Sequence, residues 1–279
     1  MKKEEKTNFI SLLSDTTFKY LYKNIKTRSW LENIIKGKFD FDISNYELID
    51  NEINTGNNVK DYRLDLKLKK DKTIVIIEMN STYYNFLEAK NYQYLYREAG
   101  SVYDVGESYS GKKVKLILFN NFKNKQLPEM KTGNFLFQDH THKITIDDIE
   151  SFEIYLPNFE KVCYDNSEVD ISLSLFRATS FEEMRMLTKN PNDIEIIKEL
   201  ERLAMDEEFK IHYDQEAVRR KTENSIRKEA IEQGLQEGIK EGTKSKQIEI
   251  AKNMLNDDVT IDKIIEYTGL DISEIEKLQ

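Results

Sequence analysis

The chain has 279 residues, of which 33% are charged, and a formal net charge of −9. That length allows one large domain or two, and the acidic balance speaks against a general nucleic-acid binder. The single cysteine, Cys163, excludes an internal disulfide framework or a cysteine-rich zinc site. No run approaches 18 apolar residues, so we expect a cytoplasmic protein with no membrane partner.

The first predicted element is a helix over residues 15–39, because apolar residues recur there at helical spacing. Asp15 stands before the pattern, which suits an N-cap or a first-turn acid. A strand is predicted over 46–54, followed by a turn over 54–58.

Residues 62–80 predict a β-hairpin with a turn at Asp71-Lys72. A two-residue turn sets Lys70 opposite Thr73, and the same register brings Asp65 opposite Glu78. Leu64, Leu66 and Leu68 then share one face, while Asp65 and Lys67 share the other. Asn80, two residues beyond Glu78, projects from the same face as Glu78.

Like charges directly opposed on a sheet are destabilising, so the Asp65–Glu78 pair needs an explanation. A divalent cation between the two carboxylates would make the arrangement favourable, and oxygen ligands suit Mg²⁺. The alternative is a solvated hairpin face whose lysines neutralise the acids, which is the commoner use of exposed charges. The spacing by itself leaves both open.

A tyrosine-rich helix over 81–103 and a buried strand over 114–119 follow the hairpin. The order helix, strand, hairpin, helix, strand predicts an α/β core with a mixed sheet. Lys90, Tyr94 and Arg97 lie near one face of that helix. Residues 56–125 carry 13 Lys and Arg against 8 Asp and Glu, so this part of the chain could meet a phosphate backbone.

This series of residues resembles the Rpn family of recombination-promoting nucleases and transposase-like proteins, within the PD-(D/E)XK nuclease superfamily. Asp15-Thr-Thr-Phe-Lys19 is similar to the family's D-x-x-F-K, and Leu64-Asp65 and Ile77-Glu78-Met79-Asn80 resemble its core Asp and E-x-Q. Lys90, Tyr94, a G-x-x-Y at 106–109, the strand at 114–119 and an E-L-P-like element at 153–157 follow in the expected order.

The resemblance implies a restriction-endonuclease-like fold and a metal-dependent DNA endonuclease linked to recombination or mobile elements. Asp65 and Glu78 would ligate Mg²⁺ or Mn²⁺, and DNA would be the partner. Asn80 replaces the superfamily's lysine and the family's glutamine, and an amide cannot act as a base. Lys67 or Lys90 could supply the missing positive charge, and Asp15 is a further candidate catalytic residue.

Two histidines at 140 and 142 stand at strand spacing, but without a third ligand a surface strand is the better interpretation. Two helices are predicted over 169–211, with a break at Asn190-Pro191. From Arg219 a charged helix carries Gly234, Gly238 and Gly242, which favours either a homo-oligomer seam or a frayed hinge.

Short helices with breaks at 256–258 and at Gly269 are predicted to end the chain, with Thr260 and Asp271 as N-caps and Glu274 completing a capping box. The predicted organisation is a nuclease core over 1–165, a helical brace over 166–215 and a helical tail over 216–279. The rival functions are a catalytically degenerate DNA-binding or assembly protein and a structural oligomeriser with no nucleic-acid role.

Overall fold

The computed structural model describes residues 9–49, 52–53, 62–100, 113–138, 141, 145–159 and 167–278. The architecture is mixed α/β, as predicted, with helices on both faces of a sheet. The chain divides into two compact units, Met1–Glu216 and Ala217–Gln279. No helix within the described ranges combines the length and the apolar character that a membrane span requires.

Two helices, rather than the single predicted one, begin the described chain: α1 (Asp15–Lys23) and α2 (Ile25–Phe39). Asn24 separates them, since its own N–H continues α1 while its side chain accepts the Lys26 N–H at 3.0 Å and caps α2. An asparagine side chain competes for backbone groups in this way, which favours a cap over a helix interior. Asp15 is a first-turn acid, and Ser14 provides the N-cap of α1.

The strands within the described residues form a six-stranded sheet and a separate two-stranded pair. The six-stranded order is β1-β4-β5-β6-β8-β7, in which β5, β6 and β8 run parallel and the other pairings are antiparallel. The small sheet pairs β2 with β3. The strands are β1 (Glu47–Ile49), β2 (Glu52–Ile53), β3 (Tyr62–Arg63), β4 (Leu66–Lys70), β5 (Thr73–Asn80), β6 (Lys113–Asn120), β7 (Thr132–Gln138) and β8 (Thr145–Tyr155).

The β4–β5 hairpin has the predicted register, from Lys70 opposite Thr73 to Leu66 opposite Ile77. Asp71 in the turn has φ 51°, a left-handed conformation that aspartate tolerates. The continuous strand predicted from residue 62 is wrong, however, because the ladder stops at Leu66 and the chain bends at Asp65.

This bend also changes the packing of Leu64. Leu66 and Leu68 belong to the large core between the sheet and the helices α1 and α2, whereas Leu64 packs with Ile74 and Ile76 on the opposite face. The expectation that the three leucines share a face is therefore wrong, since a bend interrupts the two-residue alternation on which it depends.

The opposite face of the sheet is covered by α3 (Leu87–Gly100), which begins six residues later than the helix predicted over 81–103. The last three residues of that prediction lie outside the described residues. The strand predicted at 114–119 is confirmed within β6, whose parallel pairing with β5 makes the sheet mixed. The G-x-x-Y motif at 106–109 and the two histidines at 140 and 142 lie outside the described residues.

Three further helices pack against the large core: α4 (Glu168–Ser174), α5 (Phe181–Leu187) and α6 (Pro191–Met205). The prediction of two helices over 169–211 is thus incomplete, although the break at Asn190-Pro191 is confirmed, with Asn190 as N-cap and Pro191 at the first helical turn. The fully buried Asp193 carboxylate joins these elements to α2. It accepts hydrogen bonds from Trp30 Nε1 (2.7 Å), Ser172 Oγ (2.6 Å) and Thr188 Oγ1 (2.7 Å).

The last helices are α7 (Glu207–Asn256), α8 (Ile261–Thr268) and α9 (Ile272–Glu276). Helix α7 begins 12 residues before the predicted start at 219, and the breaks after Asn256 and at Gly269 (φ 69°) are confirmed. The capping box of Asp271 and Glu274 is present, whereas Thr260 occupies the N-cap position of α8 without a side-chain hydrogen bond. Apolar side chains give the C-terminal unit its own small core: Ala251, Ile264, Leu270 and Ile275.

Candidate active site

Asp65 and Glu78 lie where the β4–β5 ladder ends, and each carboxylate binds the other strand's backbone. The Asp65 N–H donates to Glu78 Oε1 at 2.9 Å, and the Met79 N–H donates to Asp65 Oδ2 at 2.9 Å. These reciprocal bonds continue the hairpin one step beyond Leu66 opposite Ile77, with side-chain oxygens as the acceptors. Both carboxylates are therefore held side by side on a buried part of the sheet.

Two lysines reach this pair from different helices. Lys19 of α1 places Nζ 2.8 Å from Asp65 Oδ1, and Lys90 of α3 places Nζ 3.4 Å from Glu78 Oε2. The Lys90 ammonium also lies 5.1 Å from the centroid of the Tyr94 ring, a cation–π distance. The site is thus a quartet of two acids and two bases, Asp65, Glu78, Lys19 and Lys90, whose formal charges cancel.

The electrostatic environment of the quartet is uneven. Burial, and then the charge of Asp65, raise the pKa of Glu78 well above its usual range, and Lys90 only partly offsets these effects. Burial is the largest single effect on Lys90 and acts to lower its pKa, but the negative charges around it, that of Glu78 first, together outweigh burial and raise that pKa above the ordinary value. Glu78 consequently releases its proton at a higher pH than an ordinary glutamate, while Lys90 holds its proton firmly.

The donor set fits a small divalent cation. Mg²⁺ prefers carboxylate oxygens and commonly binds through one or two of them, with water and substrate phosphate completing its shell. Each carboxylate oxygen has two lone pairs, so the hydrogen bonds described above leave acceptor capacity for a cation. Within the described residues, no group of three or more His, Cys, Asp or Glu side chains could hold a metal ion. Asp65 and Glu78 alone would therefore provide the carboxylate ligands here.

Asn80 forms a buried amide pair instead of projecting alone into the site. Its Nδ2 donates to Asn120 Oδ1 at 2.9 Å, and the two residues are neighbours in the parallel β5–β6 ladder. Both side chains are buried. Asn80 is thereby fixed beside Glu78 through a partner on the next strand.

Two other predicted site residues are placed differently. Lys67 Nζ binds Glu98 Oε1 of α3 at 2.7 Å, so the structure commits its ammonium to another acid. Asp15 is half-buried in the first turn of α1, and the α1 residue that reaches Asp65 is Lys19, one turn later. Lys19 was not selected from the sequence, although it ends the D-x-x-F-K motif. Lys19 stands four residues after Asp15, and this helical spacing was the signal in the sequence that could have identified it.

No family model matches this chain, and neither curated proteins nor solved structures match it significantly. The Rpn resemblance accordingly depends on the order of motifs in the sequence. The geometry of the quartet is an independent observation on the same residues.

Proposed function

We propose that this chain is a Mg²⁺- or Mn²⁺-dependent DNA endonuclease with a restriction-endonuclease-like core, of the kind that serves recombination or mobile elements. The observation that supports this most strongly is the quartet, in which two buried, hydrogen-bonded carboxylates are flanked by lysines from two helices. A purely solvated hairpin face would not need buried acids.

The charges of the quartet suit phosphodiester hydrolysis. Bound Mg²⁺ would lower the pKa of a water and stabilise charge on the scissile phosphate. Asp65 and Glu78 would hold the cation. With their charge neutralised in this way, Lys19 and Lys90 could donate hydrogen bonds to phosphate oxygens.

The protonated Lys90 acts in this scheme as a source of positive charge and a hydrogen-bond donor, not as a base, because its pKa is raised. Asn80, held by Asn120, positions the neighbouring backbone and a water or phosphate oxygen through its amide.

The test is nicking of supercoiled plasmid by the purified chain in Mg²⁺ or EDTA, with the isosteric variants Asp65→Asn and Glu78→Gln. We expect metal-dependent nicking that falls at least about 100-fold in either variant. Glu150→Gln is the matched control, because Glu150 is also a buried acid paired with a lysine, Lys115, and lies on β8. Equal activity in wild type and both site variants would refute the assignment.

The rival candidate is a DNA-binding protein that does not cleave. It is favoured by Asn80, which stands where the superfamily has lysine and whose amide is already engaged with Asn120. Gel-shift binding of wild type to DNA in Mg²⁺, without any nicking, would establish this alternative.

We also propose that α7 carries a homo-oligomer contact. Three apolar residues of α7, each more than 60% exposed, recur at four-residue intervals: Ile231, Leu235 and Ile239. A Cβ added at Gly234, Gly238 or Gly242 would meet nothing within 4 Å among the described residues. A second copy of α7 would cover this face. Light scattering should give fewer chains per assembly for a chain truncated before Arg219, and an unchanged number of chains would remove the proposal.

A further inference from the structure

A second polar site lies in the same unit, on the α3 side of the sheet. It is a cleft of about 240 Å³ at the carboxyl ends of β6 and β8, the end of a parallel sheet where ligands commonly bind. Asn120, the partner of Asn80, is one of its walls, so the cleft adjoins the proposed active site. Its polar and aromatic walls include Tyr83, Asn91, Tyr92, Asn120, Glu153 and Tyr155.

Glu153 is a buried carboxylate whose described neighbours include no cation partner. It is 9% exposed and accepts hydrogen bonds from the Tyr155 hydroxyl and, at 3.4 Å, from Ser151 Oγ. The Tyr155 oxygen in turn accepts from Asn124 Nδ2 at 2.7 Å, which fixes its orientation. Nearby Glu150, by contrast, is paired with Lys115. A buried acid held by neutral hydroxyls can still accept hydrogen bonds from a ligand.

Asn91 provides a second unused acceptor. Asn91 is 4% exposed and lines the cleft from α3, and its Oδ1 has no hydrogen-bond partner among the residues that the structure describes. A buried oxygen without a partner is costly, so an unexplained one beside a cleft points to a missing donor. Glu153 and Asn91 therefore both offer acceptors to whatever occupies the cleft.

Aromatic rings also line the cleft, together with two lysines, Lys123 and Lys125, and one further acid, Glu88. The Tyr83 and Phe122 rings meet edge to face at 5.2 Å, and Lys125 Nζ lies 4.1 Å from the centroid of the Tyr83 ring. Tyr92 is 38% exposed and presents a further ring. Aromatic walls suit a flat ring system, and lysines at the rim suit a phosphate attached to it.

We infer that this cleft binds a nucleobase that carries an exocyclic amino group. Adenine, cytosine and guanine present N–H donors to the Glu153 carboxylate and to Asn91 Oδ1, whereas thymine has no amino group and one ring N–H. The base comes either from a free nucleoside monophosphate or from a DNA strand that has turned one base out of its stack. The DNA source rests on the proposed nuclease function, because the strand would run from the quartet past Asn120 into the cleft.

Calorimetric titration of the full chain in EDTA separates the cleft from catalysis, since cleavage is then switched off. We expect CMP, AMP or GMP to bind at least about tenfold more tightly than TMP, the difference of one good hydrogen bond. Glu153→Gln and Asn91→Leu should each weaken binding by about tenfold. Tyr92→Ala, at a partly exposed position, is expected to fold and to weaken binding as well. Glu195→Gln is the control, because Glu195 is exposed on α6 and does not line the cleft.

A duplex containing 2-aminopurine distinguishes the two sources. A rise in its fluorescence on binding wild type in EDTA, absent with Glu153→Gln, supports a base taken out of DNA. Binding of the monophosphates without that rise supports a free nucleotide. If none of the four monophosphates binds and the 2-aminopurine fluorescence does not rise, the cleft proposal is overturned, even if the plasmid is nicked. If a nucleotide binds but the plasmid is not nicked, the cleft proposal is supported and the nuclease proposal is refuted.

Discussion

Replacing Glu78 by glutamine should stabilise the metal-free protein while abolishing cleavage. Burial and the adjacent Asp65 raise the pKa of Glu78 in the folded chain above its ordinary value of 4.5. Between 4.5 and the higher folded-state pKa, the unfolded chain releases this proton and the folded chain keeps it. The free energy of unfolding therefore falls as the pH rises through that window, and the ionised side chain continues to destabilise the fold above it.

The magnitude follows from these contacts. A rise of one in a pKa corresponds to about 1.4 kcal/mol. The new amide can still accept the Asp65 N–H that now binds Oε1. The ion pair that is lost joins Lys90 and Glu78 at 3.4 Å, and one third of the lysine side chain is exposed, so its loss costs about 0.5–1 kcal/mol. We expect Glu78→Gln to raise the free energy of unfolding by about 1–3 kcal/mol at pH 8 and by little at pH 4.5.

Urea denaturation in EDTA at several pH values measures this difference. Burial also raises the pKa values of Glu32 and Glu153, so only the difference between variant and wild type isolates Glu78. Saturating Mg²⁺ should make the wild type more stable than the variant. A ligand present at 100 times its dissociation constant stabilises the protein that binds it by about 2.7 kcal/mol, and the variant lacks one of the two carboxylates that would bind Mg²⁺. A variant less stable than wild type at pH 8 in EDTA would refute the reasoning.

Three other predictions concern single contacts. Lys90→Met should reduce the initial nicking rate by about 100-fold. Lys67→Met should change that rate by no more than about threefold, because Lys67 is paired with Glu98. Equal losses of rate in the two variants would contradict these roles. Asn80→Leu should lower the free energy of unfolding, measured by urea denaturation, by about 1–3 kcal/mol, because it leaves the buried Asn120 amide without its partner. Adding Asn120→Leu should recover part of that loss, and two losses that simply add would contradict this coupling. Asp193→Ala removes the acceptor of three buried donors and should lower the free energy of unfolding by about 3–5 kcal/mol. Unfolding can be followed by the fluorescence of the single tryptophan, and a loss below about 1 kcal/mol would be inconsistent with those hydrogen bonds.

Features of the chain that depend on near neighbours were predictable. The hairpin register follows from the turn at Asp71-Lys72 and the alternation on either side of it, and β4 and β5 keep it as far as Leu66. The capping box at Asp271 and the helix start at Pro191 likewise depend on residues within one turn. Asp65 and Glu78 could therefore be placed side by side from the sequence.

Errors occurred where a local pattern was interrupted or where a long side chain could choose between partners. The bend at Asp65 moved Leu64 to the other face, and Asn24 divided one apolar periodicity into two helices. Lys67 was expected beside Asp65, but Glu98 of α3 holds its ammonium. A lysine side chain can reach several positions, so its partner depends on where distant helices pack.

By itself, the sequence determined the β4–β5 hairpin, the mixed α/β class and the opposition of Asp65 and Glu78, because turn chemistry and strand alternation act over a few residues. Only the tertiary structure decided which cations neutralise those acids. Lys19 is 46 residues from Asp65 in the chain, and Lys90 is 12 residues from Glu78. Each lysine meets its acid only when its helix, α1 or α3, packs on the sheet. The pairing of Asn80 with Asn120 has the same origin, since a parallel ladder joins strands that the chain reaches only after a crossover.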